Sequence, residues 1–256
     1  MSEETTAETV LYEIARRHQS GNYIAIPATK VAESKHGADW LWWFGDRSNG
    51  IGFRVQAKRL FPSGRYESLF KKTGDPHAQL KKLVSKASKA NHVPLYCFYN
   101  FKSPGNFVKC NHQCMHDYRA PSYWGCSIAL PQDIKSQNSD SLIDLQGFML
   151  PWHLLVCTGP KRSLADAAIN AGRMLADTKP RRKLKDGRLQ VGRQKLSIKF
   201  AKQTTPLFVR ELIEIQERSR PIDSQIEGWR EINARAQEVL EEEDIAGLTI
   251  FNDTRL

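Results

Sequence analysis

The stretch GADWLWWFGDRSNGIGFRVQAKRL, Gly37 to Leu60, decides the fold. Two apolar segments, about 38–44 and 51–59, flank Gly45-Asp46-Arg47-Ser48-Asn49-Gly50, a run with strong turn chemistry. The pattern predicts an antiparallel β-hairpin. With the turn centred between Arg47 and Ser48, the numbers of opposing residues sum to 95. Asp39 and Gln56 are then cross-strand partners, with Cβ atoms roughly 5 Å apart. Lys58 lies two residues beyond Gln56 and shares its face, which Leu41 and Trp43 continue. Trp40, Trp42 and Phe44 cover the other face. The aromatic run reads as core, each ring burying a large area against flanking helices.

Outward from the hairpin, the chain alternates helices and strands. Thr5 or Thr6 can cap a helix through Val10, Leu11, Ile14 and Ala15, ended by Ser20-Gly21-Asn22. An extended segment, YIAIPATKVAE, precedes the hairpin. After it, DPHAQLKKLVSKASKAN reads as a helix with Leu80, Leu83, Val84 and Ala87 at helical spacing. VPLYCFYNF is a continuously apolar run, the mark of a buried strand. The expected class is therefore α/β, a mixed sheet with helices on its faces. WGCSIALP and FMLPWHLLVC read as further strand or packed extended elements. Helices are expected over 163–177, 207–220 and 228–244, and GLTIFND reads as a final strand. Residues 1–160 are expected to form a core with a Cys/His loop inserted at about 103–126. Residues 161–256 read as a C-terminal basic and helical extension packed on it.

Composition narrows the function classes. The N-terminus MSEETTAETV is acidic and lacks the apolar run of a signal peptide. No apolar segment is long enough to span a bilayer, so the sequence predicts a soluble, cytoplasmic protein with no membrane partner. Five cysteines, unevenly spread, do not make a disulfide framework. Formal net charge is +10, and ten Lys and Arg between Lys179 and Lys202, against Asp186 alone, contribute +9 of it. A charge so concentrated points to a polyanionic partner. Lys179, Arg181, Arg182, Lys183, Lys185, Arg188, Arg193 and Lys195 are the expected backbone-phosphate contacts, giving salt-sensitive, sequence-tolerant binding. Gly187 and Gly192 leave room for a hairpin there, turning at Asp186-Gly187.

The grouping of Asp39, Gln56 and Lys58 suits divalent-metal hydrolysis of a phosphodiester. A carboxylate, an amide oxygen and the backbone carbonyl of Ala57 are the hard ligands that Mg²⁺ prefers. Lys58 can orient a metal-bound water or offset phosphate charge. Glu33, across the Ser34-Lys35-His36-Gly37 bend, is a further ligand or base, and Glu13 a more distant candidate.

Asp39, then Gln56-x-Lys58 on the next strand, followed by a helix and an apolar strand, resembles the PD-(D/E)xK nuclease superfamily, the restriction-endonuclease-like fold. The likeness covers about residues 5–100. The wording E…GADWLWW…VQAKRL…PLYCFYN is also similar to an uncharacterised bacterial group of that superfamily linked to antiviral defence. The resemblance implies a core of helix–three strands–helix–strand and a Mg²⁺- or Mn²⁺-dependent endodeoxyribonuclease, an antiphage defence effector. It implies that Asp39, Gln56 and Lys58 bind metal or catalyse, with Glu33 as an added acid and Gln79 as an auxiliary group. Two departures stand out: Gln56 replaces the commoner Glu, removing a negative charge, and Gly37-Ala38 stands where the motif has its Pro.

Other readings stay open. A chain that kept the fold but lost catalysis would be a nucleic-acid-binding or partner-binding module, a reading that Gln56 favours. An RNA nuclease is a second alternative, since nothing in the sequence distinguishes a 2′-hydroxyl from its absence. A second copy of the chain or a defence-system protein is a further partner class. KCNHQCMHDY offers Cys110, His112, Cys114 and His116, with Cys126 beyond. Cys110, Cys114, His116 and Cys126 could hold Zn²⁺, but the spacing lacks separated paired knuckles, and a polar loop with incidental Cys and His is the competing reading.

Overall fold

The computed structural model describes residues 23–26, 40–70, 73–101, 124–157, 163–177, 181–183, 189–191, 200–219 and 225–252. Its hairpin has the expected register. Strand β2 (Trp40–Gly45) runs antiparallel to β3 (Asn49–Arg59), and every pair from Trp40–Val55 to Gly45–Gly50 keeps the constant of 95. The turn is closed locally: the Asp46 carboxylate accepts from the Ser48 and Asn49 amides at 2.7 and 2.9 Å. This side-chain mimicry of a turn is why Asp favours the position. Thr205 pins the same turn from outside, its hydroxyl donating to the Asp46 carbonyl at 2.7 Å.

Around the hairpin lies an eight-stranded mixed sheet. Further strands are β1 (Tyr23–Ile26), β4 (Val93–Tyr99), β5 (Cys126–Ala129), β6 (Leu150–Pro151), β9 (Gln203–Thr204) and β10 (Gly247–Asn252). Their order is β1-β10-β2-β3-β4-β5-β6, with β9 paired to the start of β3. Helix α1 (Ala78–Lys89) carries the chain from β3 to β4, which runs parallel to β3. A separate ribbon joins β7 (Arg181–Lys183) to β8 (Leu189–Val191). Its pairs are centred on residue 186; the turn expected at Asp186-Gly187 lies outside the described residues.

One placement is not legible in the sequence. β1 is not the hairpin's neighbour; β10 lies between them, antiparallel to β1 and parallel to β2. Apolar pattern identifies GLTIFN as a strand, but partner choice is a long-range matter that local pattern does not encode. The 150s differ from the sequence reading: only Leu150–Pro151 is strand, and a 3₁₀ turn takes Trp152–Leu155. Two short helices had no strong periodic signal, α2 (Pro131–Gln137) and α3 (Leu142–Leu145). The helix expected over residues 5–15 lies outside the described residues.

The remaining helices are α4 (Leu164–Asp177), α5 (Leu207–Arg218) and α6 (Gln225–Glu242). Each sheet face has its own core. Leu41, Trp43, Tyr96, Phe98 and Leu248 pack with Leu80 and Leu83 of α1, Leu212 of α5 and Val239 of α6. Trp42, Phe53, Val55 and Leu95 pack with Ala168 and Leu175 of α4 and Leu155. The result is three layers, helices on both sides of the sheet.

Candidate active site

β3 presents the site. Its odd residues Ile51, Phe53, Val55 and Ala57 belong to the α4-side core. Its even residues face the α1 and α6 side, because Arg54 pairs with Leu41, Gln56 with Tyr96 and Lys58 with Phe98. Arg54, Gln56 and Lys58 are 3, 2 and 3% exposed, as deeply buried as the apolar face. Burying a guanidinium and an ammonium is costly unless charges and acceptors meet them. Gly52 continues the row without a side chain because His92 occupies the space; a Cβ there would lie 2.5 Å from the imidazole Cδ2.

Arg54 meets its partner from the far end of the chain. One guanidinium nitrogen, Nη2, donates to the Glu243 carboxylate at 2.7 Å and to the Glu243 carbonyl at 2.8 Å. Nε and Nη1 have no acceptor among the described residues. Burial pulls the Arg54 pKa below its usual value, and Glu243 pulls it partly back. The turn after α6 places Glu243. The Ile245 amide donates to the Leu240 carbonyl and the Asp244 amide to the Glu241 carbonyl, with Asp244 left-handed at φ +52°. That is a Schellman cap, usually occupied by Gly. Here an Asp holds it, and its carboxylate pairs with Lys86 of α1. α1 ends the same way, with Asn91 at φ +56° and the His92 amide on the Ala87 carbonyl. His92 is held neutral, its pKa pushed down to about 3 by burial and by Arg54.

The Lys58 end rests on a satisfied polar network. The Tyr66 hydroxyl donates to Asn100 Oδ1 at 2.6 Å, and Asn100 Nδ2 donates to the Trp124 carbonyl at 2.9 Å. The Ser127 hydroxyl also donates to that carbonyl, at 3.2 Å. Burial drives the Tyr66 pKa far above the usual phenol value, so it remains a donor. Its ring lies 4.6 Å from Phe98, the residue paired with Lys58. A buried network with its members bonded is stiff, and this one ties the end of β4, the strand paired with the one that carries the lysine, to β5.

Of the expected site residues, the structure brings Gln56 and Lys58 together on one face of β3. Ala57 between them turns its side chain to the opposite core. Gln79 lies in the first turn of α1, half-buried. Asp39 and Glu33 lie outside the described residues, as do Lys179, Lys185, Arg188, Arg193 and Lys195. Arg181, Arg182 and Lys183 form β7. Cys126 is on β5 with its sulfur 3.3 Å from that of Cys97, and Cys110, Cys114 and His116 lie outside the described residues. Among the described residues, no group of three or more His, Cys, Asp or Glu is placed to hold a metal.

For a divalent cation, the described residues offer the Gln56 amide oxygen and backbone carbonyls; the carboxylates expected from the sequence, Asp39 and Glu33, lie outside the described residues. The donor types fit Mg²⁺ only with those carboxylates included. Sequence reading missed Arg54 and Glu243. The signal for Arg54 was present: Gly52, Arg54, Gln56 and Lys58 make an alternating non-apolar row in a strand otherwise fit for double burial. Glu243 carried none, since its role comes from the cap after α6.

No helix among the described residues is long and apolar enough to cross a membrane. Comparison with curated proteins and with solved structures finds no match. Residues 1–254 match a family described as "Family of unknown function (DUF6615)", and the chain belongs to that family.

Proposed function

We propose that the chain is a divalent-metal-dependent nuclease that hydrolyses phosphodiester bonds of DNA, on a restriction-endonuclease-like core. The observation that carries the reading is the paired burial of Gln56 and Lys58 on one face of β3. The hairpin pairs from Trp40–Val55 to Gly45–Gly50 keep the register on which the Asp-then-Gln-x-Lys reading was built, which supports it. An ammonium buried in the sheet, away from bulk water, supports this reading because it can offset phosphate charge with little screening. Asp39, Glu33, Gln56 and the Ala57 carbonyl would hold Mg²⁺ or Mn²⁺. When bound, such a cation polarises a phosphoryl oxygen and acidifies water. Lys58 offsets the charge that builds on the phosphate, and Gln56 orients its oxygens. The antiphage role stands on the sequence resemblance alone.

One observation favours a second reading, a nuclease-fold binding module without catalysis: Gln56 is neutral where an acid would strengthen metal binding. Purified protein incubated with plasmid DNA and Mn²⁺, with and without chelator, separates the two. The nuclease reading expects chelator-sensitive nicking that Lys58→Ala and Asp39→Ala each reduce at least about a hundredfold, with unchanged circular dichroism. Activity indifferent to chelator, or full activity in either variant, overturns it. Parallel incubation with RNA of the same sequence identifies the RNA nuclease.

A further inference from the structure

Two thiols face each other across β4 and β5. The sulfurs of Cys97 and Cys126 are 3.3 Å apart, although 29 residues separate them in the chain. The antiparallel register pairs Cys97 with Ile128 and Tyr99 with Cys126, so the two cysteines lie diagonally across one face. Both belong to the α4-side core, Cys97 fully buried and Cys126 half-buried at its margin.

The backbone around them is already held. The Asn100 amide donates to the Gly125 carbonyl at 2.8 Å, and Asn100 Nδ2 donates to the Ser127 hydroxyl at 3.2 Å. A disulfide needs its sulfurs about 2 Å apart, so closing the remaining ~1.3 Å falls to side-chain rotation between strands already paired. Cys126 is open to a small oxidant, and Cys97 stands behind it as a resolving thiol. The hydrogen bond with Cys97, and then burial, holds the Cys126 thiol well above its ordinary pKa. Thiols of that kind attack slowly and leave slowly, so a disulfide here is slow to form and slow to open.

We propose that Cys97 and Cys126 are a reversible modification site, a dithiol that hydrogen peroxide oxidises to a disulfide joining β4 to β5. The Cys126 sulfur attacks one peroxide oxygen, the O–O bond breaks, and the other oxygen leaves with the thiol proton as water. The Cys97 sulfur then attacks the Cys126 sulfur. The S–O bond of the sulfenic acid breaks, and its hydroxyl leaves with the Cys97 proton as a second water. Two electrons pass from the thiols to the peroxide. Cys126 is thereby assigned to Cys97 and not to a zinc set with Cys110, Cys114 and His116. No phosphate or divalent-metal chemistry is involved, so the site is independent of the nuclease reading.

The test incubates the full chain for hours with hydrogen peroxide in chelator, alkylates the remaining thiols and maps the peptides. Cys97 and Cys126 fall in separate tryptic peptides, Ala90–Lys102 and Ala120–Lys135. The expected product is these two joined, lighter by two hydrogens than their sum and separated again by dithiothreitol. A cross-link across 29 residues should raise the melting temperature by about 5–10 °C. Cys126→Ser should abolish both the link and the shift, and Cys157→Ser should keep them. Cys126 joined to Cys110 or Cys114, or carried to sulfinic acid while Cys97 stays alkylatable, overturns the proposal. So does a wild-type chain whose Cys97 and Cys126 are both fully alkylated after peroxide, or a melting shift that survives in Cys126→Ser.

Discussion

The two faces of β3 are equally buried and differently built. One presents Ile51, Phe53, Val55 and Ala57 to α4; the other presents Gly50, Gly52, Arg54, Gln56 and Lys58 to α1 and α6. A strand buried on both sides normally reads as continuously apolar, because nothing else is stable there. The apolar face follows that rule and draws its stability from packing. On the other face, stability depends on partners: Glu243 for Arg54 and His92 above Gly52. Packing tolerates approximate fits and partnering does not, so a face of the second kind holds side chains in fixed places.

Breaking the apolar face should cost most. Phe53 is fully buried and lies edge-on to Phe44 at 5.7 Å, so Phe53→Ala is expected to lose about 3–5 kcal/mol in urea melts. The polar face should respond asymmetrically. Glu243→Ala leaves a buried guanidinium with only a carbonyl acceptor, an expected loss of about 2–3 kcal/mol, moderated because Glu243 is 31% exposed. Arg54→Met removes the charge that needs a partner and should cost less than about 1.5 kcal/mol. Equal losses from the two would mean that Arg54 acts by packing.

The smallest effect is in pH dependence. His92 titrates at about 3 in the fold against an ordinary 6.5, so the unfolded chain binds more protons between those values and stability rises with pH there. Asp133 on α2 has the opposite sign: burial raises it from 3.8 to about 7, so the folded chain holds the extra proton and stability falls as pH rises. The two oppose each other between pH 3.8 and 6.5, and the melting temperature should be nearly flat there. Asp133→Asn should uncover the rising slope and His92→Asn the falling one, each about 1 kcal/mol per pH unit. Thermal melts in a pH series check both.

The hairpin was readable because its information is local. Turn residues fix the centre, alternation fixes the faces, and the register follows by counting from Trp40–Val55 to Gly45–Gly50. The helices α1, α4, α5 and α6 were readable for the same reason, within a few residues at their ends. The position of β10 was not, because any apolar hexapeptide pairs acceptably with an open strand edge and only the assembled fold selects one. Within the site, Gln56 and Lys58 are on the face that counting assigns them. Glu243 depended on a left-handed residue at position 244, a cap that usually announces itself with Gly and here is written with Asp.

The place of β10 has a consequence for how the chain is made. β2 ends at Gly45, yet the strand that covers its outer edge begins at Gly247, and among the described residues β1 has only β10 for a neighbour. While the chain emerges from the ribosome, the Trp-rich β2 stands as an uncovered edge until about 200 more residues have followed it. Such edges recruit other chains. The sheet is closed by a segment translated about 200 residues after the hairpin, so the hairpin is laid down early and sheltered late.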